Sequence, residues 1–450
     1  MEWYWALAVL LGSMLALMAL GMPVGIAFLG VNVVAAVYYF GGSGALATRI
    51  ETGIGTLAGN AFESMASFAI VPIPMFLLMG ELFFHTGLAT RMFNAVDKLM
   101  GKVPARLSYV TVAGGTAFAT LSGSSMGSTA LLGTLMVPEM TRRKYKKSMS
   151  IGPILGTGGL AMLIPPSALA VLLGTLAQID IGRLLVAGIT PGLILAAMYA
   201  VLIYVRARLD PEAAPVYDIE EVPAAVKLRL FLFDVAPMIS IVGLVIVLIM
   251  GGIATPSESA AFGCVGVLAL AFLYRCFSWR ALWRALEGAA RVTVIALLIL
   301  FGSQTFSQIL AFSGGSAGLI QWVAGFEVSP VVMLLCMFGI LLLLGMFMDQ
   351  LAMMLLTVPI FFPIVATLDF GLPPEMKMIW FGVIMLMALE ISFTTPPFGL
   401  LLFVMQGVAP PGTRFSEICL AAVPFMGCAM LLVALIIAFP GIATWLAFLG

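Results

Sequence analysis

The sequence has 450 residues, 62% of them apolar and 9% charged, with a mean hydropathy of +1.16 and a formal net charge of zero. That leaves too little polar surface for a soluble globule and reads as an all-α polytopic membrane protein with the lipid bilayer as its solvent. Short, balanced charge clusters exclude nucleic acid as a partner, while one histidine (His85) and five cysteines without a CxxC pair leave no set for a Ser-His-Asp triad, a His-rich zinc site or a bis-histidine haem.

In chain order, Trp3 to Leu20 is apolar, follows Glu2 rather than a basic stretch and has no small-residue cleavage site behind it, so it is expected as a retained helix. A second span follows at 23–40. Arg49 to Ser64 is too polar to cross and is expected to lie as an arm in the interface. Residues 66–100 are expected to form a re-entrant hairpin. The stretches 107–140 and 148–178 exceed the ~20 residues of a simple span and carry Gly, Ser or Pro breaks, which marks them as discontinuous helices.

An ordinary span is expected at 184–205, and the polar stretch 206–234 reads as a solvated connector with room for a short surface helix. Spans at 235–252 and 257–275 come next, the second opened by the capping box Thr255-Pro256-Ser257-Glu258, which assigns Glu258 to structure. Arg275, Arg280, Arg284 and Arg291 around Trp279 and Trp283 suit an interfacial helix. A second re-entrant hairpin is expected at 292–325, discontinuous helices at 329–367 and 377–408, and a last span at 417–440. The total is about ten crossings and two hairpins.

Landmarks recur in order between the halves: Pro23 with Pro256, Gly80 with Gly302, Pro138 with Pro359, Pro166 with Pro397, and Pro191 with Pro424, at separations of 221 to 233 residues. The sequence therefore divides into repeats at 1–205 and 235–450, joined by the connector at 206–234. Five crossings per repeat is an odd number, so the second copy is expected to enter from the opposite face, as in many secondary transporters. Placing the 142–147 cluster, the 206–229 loop, the 275–291 segment and Arg414 inside puts 14 of the 21 basic residues there, with both termini periplasmic or extracellular.

Three places carry candidate chemistry. Ser122-Gly123-Ser124-Ser125, followed by Ser128, packs hydroxyls and glycine into the middle of a discontinuous span, an all-oxygen cradle suited to a small hard cation such as Na⁺, or a close-packing stripe of small residues. Asp349 stands alone in an apolar run, where a carboxylate costs roughly 2.5–3.5 kcal/mol on insertion scales and so demands a partner or a polar cavity. Finally, Pro165-Pro166-Ser167 and Pro396-Pro397 with Gly399 break two spans and start half-helices whose free N–H groups attract an anion. Thr394 and Thr395 add hydroxyls there, as ligands or as caps. Glu81 and Glu390 lie near these elements without a settled role.

Together with Gly21-Met22-Pro23, the Ile73–Leu82 run, Ile164-Pro165-Pro166-Ser167, Ala254–Ala261 and Thr395–Gly399, these motifs make the chain resemble, over nearly its whole length, the large M or DctM-like membrane subunit of tripartite ATP-independent periplasmic (TRAP) transporters. The resemblance implies an elevator-type importer in a bacterial inner membrane, driven by two or more Na⁺. It implies that Ser122, Ser124 and Ser125 help form one Na⁺ site and that Asp349, Thr394 and Thr395 lie near another. It further implies a carboxylate cargo, a periplasmic substrate-binding protein and a small four-helix membrane subunit, expected as a separate chain because none precedes Trp3. The connector is longer than the family pattern implies. Two alternatives stay open: a partner-independent Na⁺/dicarboxylate symporter, and an intramembrane aspartate-dependent enzyme, which the serine at position 128, the repeat counterpart of Asp349, disfavours.

Overall fold

The computed structural model describes residues 2–22, 24–42, 45–65, 70–101, 103–122, 125–215, 223–325, 328–346, 348–396 and 399–449, and these are helices joined by short turns. The first half comprises α1 (Trp3–Ala19), α2 (Val24–Tyr39), α3 (Leu46–Met65), α4 (Pro72–His85), α5 (Leu88–Leu99), α6 (Arg106–Ser122), α7 (Ser125–Arg142), α8 (Lys147–Gly158), α9 (Leu160–Leu163), α10 (Ala168–Ala177) and α11 (Ile181–Leu209). The second comprises α12 (Ala224–Leu230), which runs through a π-helical turn into α13 (Ala236–Met250), then α14 (Pro256–Leu273), α15 (Trp279–Phe312), α16 (Gly315–Ala324), α17 (Pro330–Gly345), α18 (Gln350–Thr367), α19 (Pro374–Phe393), α20 (Leu400–Val408), α21 (Phe415–Ala438) and the single turn α22 (Gly441–Thr444). Among the described residues six helices are long and apolar enough to cross a membrane, or eight if two bent pairs each count as one span. The shorter α1, α2 and α17 are apolar as well. Pro256 opens α14, and the expected capping box is present, with Thr255 N–H donating to Glu258 Oε2 at 2.8 Å and Glu258 N–H to Thr255 Oγ1 at 3.3 Å.

The helical hairpins are not where the sequence places them. The 106–142 stretch, expected as one interrupted span, folds back on itself: the Cβ direction of Gly115 in α6 meets Leu132 Cδ1 of α7 at 2.9 Å, although a straight course would part these residues by about 25 Å. Asp97, at the end of α5, pairs with Arg106 at the start of α6 and also feels Arg143 and Glu139 at the end of α7, so the two ends of the stretch are neighbours. In the second half α17 and α18 stand in the same relation, packing on each other and both on α19. The expected hairpin at 66–100 is instead an elbow, α4 and α5 meeting at 65° around Gly87, whose φ of +80° only glycine adopts easily. The expected interfacial helix at 275–291 and the first arm of the expected 292–325 hairpin are one 34-residue helix, α15. Nothing at Arg291-Val292 blocks propagation: there is no proline, and Gly288 and Gly302 cost about 1 kcal/mol each at most.

Equivalent helices pack equivalently. α6 and α7 lie on α8 as α17 and α18 lie on α19, and the second part of each broken helix crosses to the other half, α10 onto α18 and α20 onto α7. Pro138 and Pro359 sit inside α7 and α18, and Pro191 and Pro424 inside α11 and α21. The landmarks Pro23 and Pro397 lie outside the described residues. α19 forms the centre of the core, with every residue from Ile379 to Phe393 buried.

Charged helix ends pair across the fold, Arg183 at the start of α11 with Glu375 at the start of α19, and a larger group near the other end of α11. Arg91 of α5 pairs with Asp234 and lies 4.1 Å from the centre of the Tyr274 ring; Lys146 pairs with Asp210 at 2.6 Å and Lys147 with Glu417 at 2.5 Å. The connector is correspondingly narrower than 206–234, because α11 continues to Leu209 and helix resumes at Ala224. Its first part is docked, with Ala213 and Ala214 buried and Ala213 C=O accepting from Lys146 N–H at 2.9 Å.

Candidate functional site

A cavity of about 280 Å³ lies where the second helices of the two hairpins begin. Ser125, the first residue of α7, reaches it from one hairpin; Asp349 and Gln350, at the start of α18, reach it from the other. Ala168 and Leu169, at the start of α10, close one side, Phe393 at the end of α19 another, and Glu81 of α4 a third. The rest of the wall is aliphatic. The sequence motifs thus converge because each marks a helix end, and the fold brings four such ends together.

The polar atoms here are under-used. Asp349 caps α18 through Oδ1, which accepts from Ala352 N–H at 2.8 Å. Ser125 Oγ and Gln350 Nε2 are buried without a hydrogen-bond partner among the described residues. Buried polar groups are nearly always satisfied, so orphaned ones beside a cavity mark a place built for a ligand. Among the described lining residues there are two carboxylates, Asp349 and Glu81, and no Lys, Arg or His. The hard oxygens of Ser125 and Asp349 are the donor type an alkali cation takes, and such an ion would offset the carboxylates. Glu81 pairs with His85 at 3.2 Å and also borders a neighbouring cavity of about 360 Å³.

The first double-proline break contributes as its pattern indicates. Ile164, Pro165 and Pro166 are buried, Ser167 caps α10 by accepting Ala170 N–H at 3.2 Å, and the start of that helix borders the cavity. The second break is not in the same cavity: Thr395, Pro396 and Gly399 are absent from its wall, and α20, which Gly399 opens, packs against α7. Thr394 lines a separate, smaller void. The Thr394 and Thr395 hydroxyls donate to Ile391 C=O at 3.0 and 2.7 Å, which finishes α19 while leaving their lone pairs free. The side chain of Ser122, and Gly123, Ser124 and Pro397 altogether, lie outside the described residues. Gln350 was not anticipated, although an amide beside the one charge of an apolar run was there to be read.

A family model described as "Tripartite ATP-independent periplasmic transporter, DctM component" matches residues 11–442. The C4-dicarboxylate TRAP transporter large permease protein DctM of Pseudomonas aeruginosa is 31% identical over 388 residues, covering 85% of this chain and 86% of the relative. The isethionate TRAP transporter permease protein DctMQ of Oleidesulfovibrio alaskensis is 30% identical over 447 residues, covering 96% of this chain and 66% of the relative. The ectoine TRAP transporter large permease protein TeaC of Halomonas elongata is 27% identical over 441 residues, covering 97% and 98%. Among solved structures, the YdaH transporter of Alcanivorax borkumensis superposes with a TM-score of 0.64 at 14% identity, covering 94% of this chain and 97% of that one. MtrF of Neisseria gonorrhoeae superposes with a TM-score of 0.61 at 13% identity, covering 92% and 94%. These two likenesses establish a shared fold.

Proposed function

The chain belongs to the DctM component family of tripartite ATP-independent periplasmic transporters, and from that premise we propose that it is the large membrane subunit of a Na⁺-coupled importer for an organic acid. It is a transporter subunit and not an enzyme, as its relatives are permeases, which removes the intramembrane-aspartate alternative. The observation that carries the reading is the cavity where α7 and α18 begin, in which Ser125 Oγ and Gln350 Nε2 are without partners among the described residues and the Asp349 carboxylate lies with them beside the start of α10. Asp349 and Ser125 attract and hold a sodium ion, and the free N–H groups at the start of α10 face an acidic group of the cargo. The cation also masks two carboxylates that would otherwise repel such a cargo.

A separate small membrane subunit and a periplasmic binding protein complete the assembly, the latter delivering the cargo. The chain sits in a bacterial inner membrane with the face that holds the 142–147 cluster inward and both termini periplasmic. The recurring helix packing supports two inverted repeats that work as an elevator, the hairpins and broken helices moving against the remainder.

Asp349→Asn tests the reading in proteoliposomes holding the full complex. The neutral amide is easier to bury but attracts a cation less, so insertion persists while half-saturating Na⁺ for uptake rises about tenfold, equivalent to about 1.4 kcal/mol. An unchanged Na⁺ dependence would remove Asp349 from the site. Uptake by this chain alone, without either partner, would replace the three-part assembly with the simple symporter. Thermal-shift screening of organic acids against the cognate binding protein names the cargo.

A further inference from the structure

α19 carries a second buried carboxylate that transport through the central cavity leaves without a task. Glu390 is 3% exposed, and its Oε2 has no hydrogen-bond partner among the described residues. An unpaired carboxylate inside a protein is expensive and persists only with compensation. Yet none of the residues described around it is Lys, Arg or His: the void it borders is walled by α8, α11, α19 and α21, chiefly through Gly156, Tyr199, Ile391, Thr394 and Phe425. That void measures about 10 Å³, room for one water-sized particle. Glu390, the buried Tyr199 and Thr394 are among the residues that line it, and the Thr394 hydroxyl proton is already given to Ile391 C=O. Glu390, Tyr199 and Thr394 are the lining residues with side-chain oxygens, the donor type a hard cation takes, and the other lining side chains are apolar.

Its position is equally informative. A Cβ at Gly159 would overlap the Glu390 carboxyl group, so the joint between α8 and α9 leaves the hole that this side chain fills. Positions 159 and 390 are 231 apart, the separation of Pro166 from Pro397. Glu390 therefore lies against its own counterpart in the other broken helix, where α9 and α19 pack together a few residues before each break.

We propose that Glu390, with Tyr199 and Thr394, holds one dehydrated Na⁺ at the crossing of the two broken helices, separate from the ion where α7 and α18 begin. The inference rests on the Na⁺-coupled reading above and adds a further coupling ion to it. An ion there ties the two breaks to one charge, so any relative movement of the broken helices changes its affinity.

The purified complex in detergent tests this by its melting temperature in NaCl against choline chloride at equal ionic strength. Glu390→Gln should raise the Na⁺ concentration giving half-maximal stabilisation at least tenfold, and its effect should add to that of Asp349→Asn, because separate sites contribute independently. Tyr199→Phe removes one oxygen but keeps the ring on Phe425, and Gly159→Ala displaces the carboxyl group without removing it; both should shift the curve in the same direction, which keeps the test open if Glu390→Gln does not assemble. A wild-type complex stabilised by Na⁺ whose variants respond identically overturns this proposal and leaves the central site standing. A wild type indifferent to Na⁺ overturns both. Loss of a pH dependence in Glu390→Gln with the Na⁺ response intact puts a proton there instead, and also overturns it.

Discussion

Gly399 donates its amide to Thr395 C=O at 3.0 Å and opens α20 in a turn so tight that a Cβ would lie 2.7 Å from Phe393 C=O and 2.8 Å from Thr395 C=O. Those are backbone atoms and cannot rotate away, so Gly399→Ala should destabilise the chain by about 1–3 kcal/mol. The check is the melting temperature of the purified complex, which should fall by several degrees; no change would mean that the turn relaxes freely. Residues of this kind were legible in the sequence. So was Asp349, because a lone charge in an apolar run must have a destination, and Ser125, because hydroxyls crowd a break. Thr394 was legible as polar but not as to its neighbour. A residue's direction turns by about 100° for each step along a helix, and the sequence does not say where the last turn of α19 stops. Tyr199 gave no signal, since a tyrosine in an apolar helix is ordinary until a carboxylate is found beside it.

At the scale of the element, a break announces that a helix ends but not which way the chain leaves. Ser122–Ser125 and Met346–Asp349 were recognised as interruptions, yet continuing and reversing spend the same few residues, and only contacts distant in sequence decide between them. The antiparallel course of α6 and α7 makes a direct prediction. In a background free of native cysteine, Gly115→Cys with Leu132→Cys should form a disulfide on mild oxidation, because these positions face each other across the hairpin. Failure to cross-link in membranes, alongside a positive control within α4 and α15, would argue for a straight span. α15 teaches the converse: a change from amphipathic to apolar sequence looks like a boundary, but a helix ends only where its backbone hydrogen bonds are interrupted.

For the whole molecule, the recurring prolines and glycine are the ground for reading a repeat, because a helix break cannot drift without disturbing its neighbours, and the matching packing of α6 and α7 on α8 and of α17 and α18 on α19 supports it. The clustering of basic residues is the ground for assigning one face to the cytoplasm. The ion pairs joining α5 to the π-helical turn before α13, α6 to α5, and α8 to the ends of α11 and α21 place the 142–147 cluster, the docked connector and the start of α21 on one face. Single cysteines at Lys144, Glu212 and Thr413 should therefore resist a membrane-impermeant maleimide in intact spheroplasts and react after lysis, whereas one at Glu2 should react in both. Labelling of Lys144→Cys before lysis would reverse the orientation. The connector near 206–234 divides the sequence but not the fold, since α10 rests on α18 and α20 on α7. Roughly 170 residues of synthesis separate the end of α10 from the start of α18, on the order of ten to thirty seconds at ribosomal rates. Throughout that interval the newborn first half carries an unfinished flank, which bilayer or insertion machinery must shelter until its mate emerges.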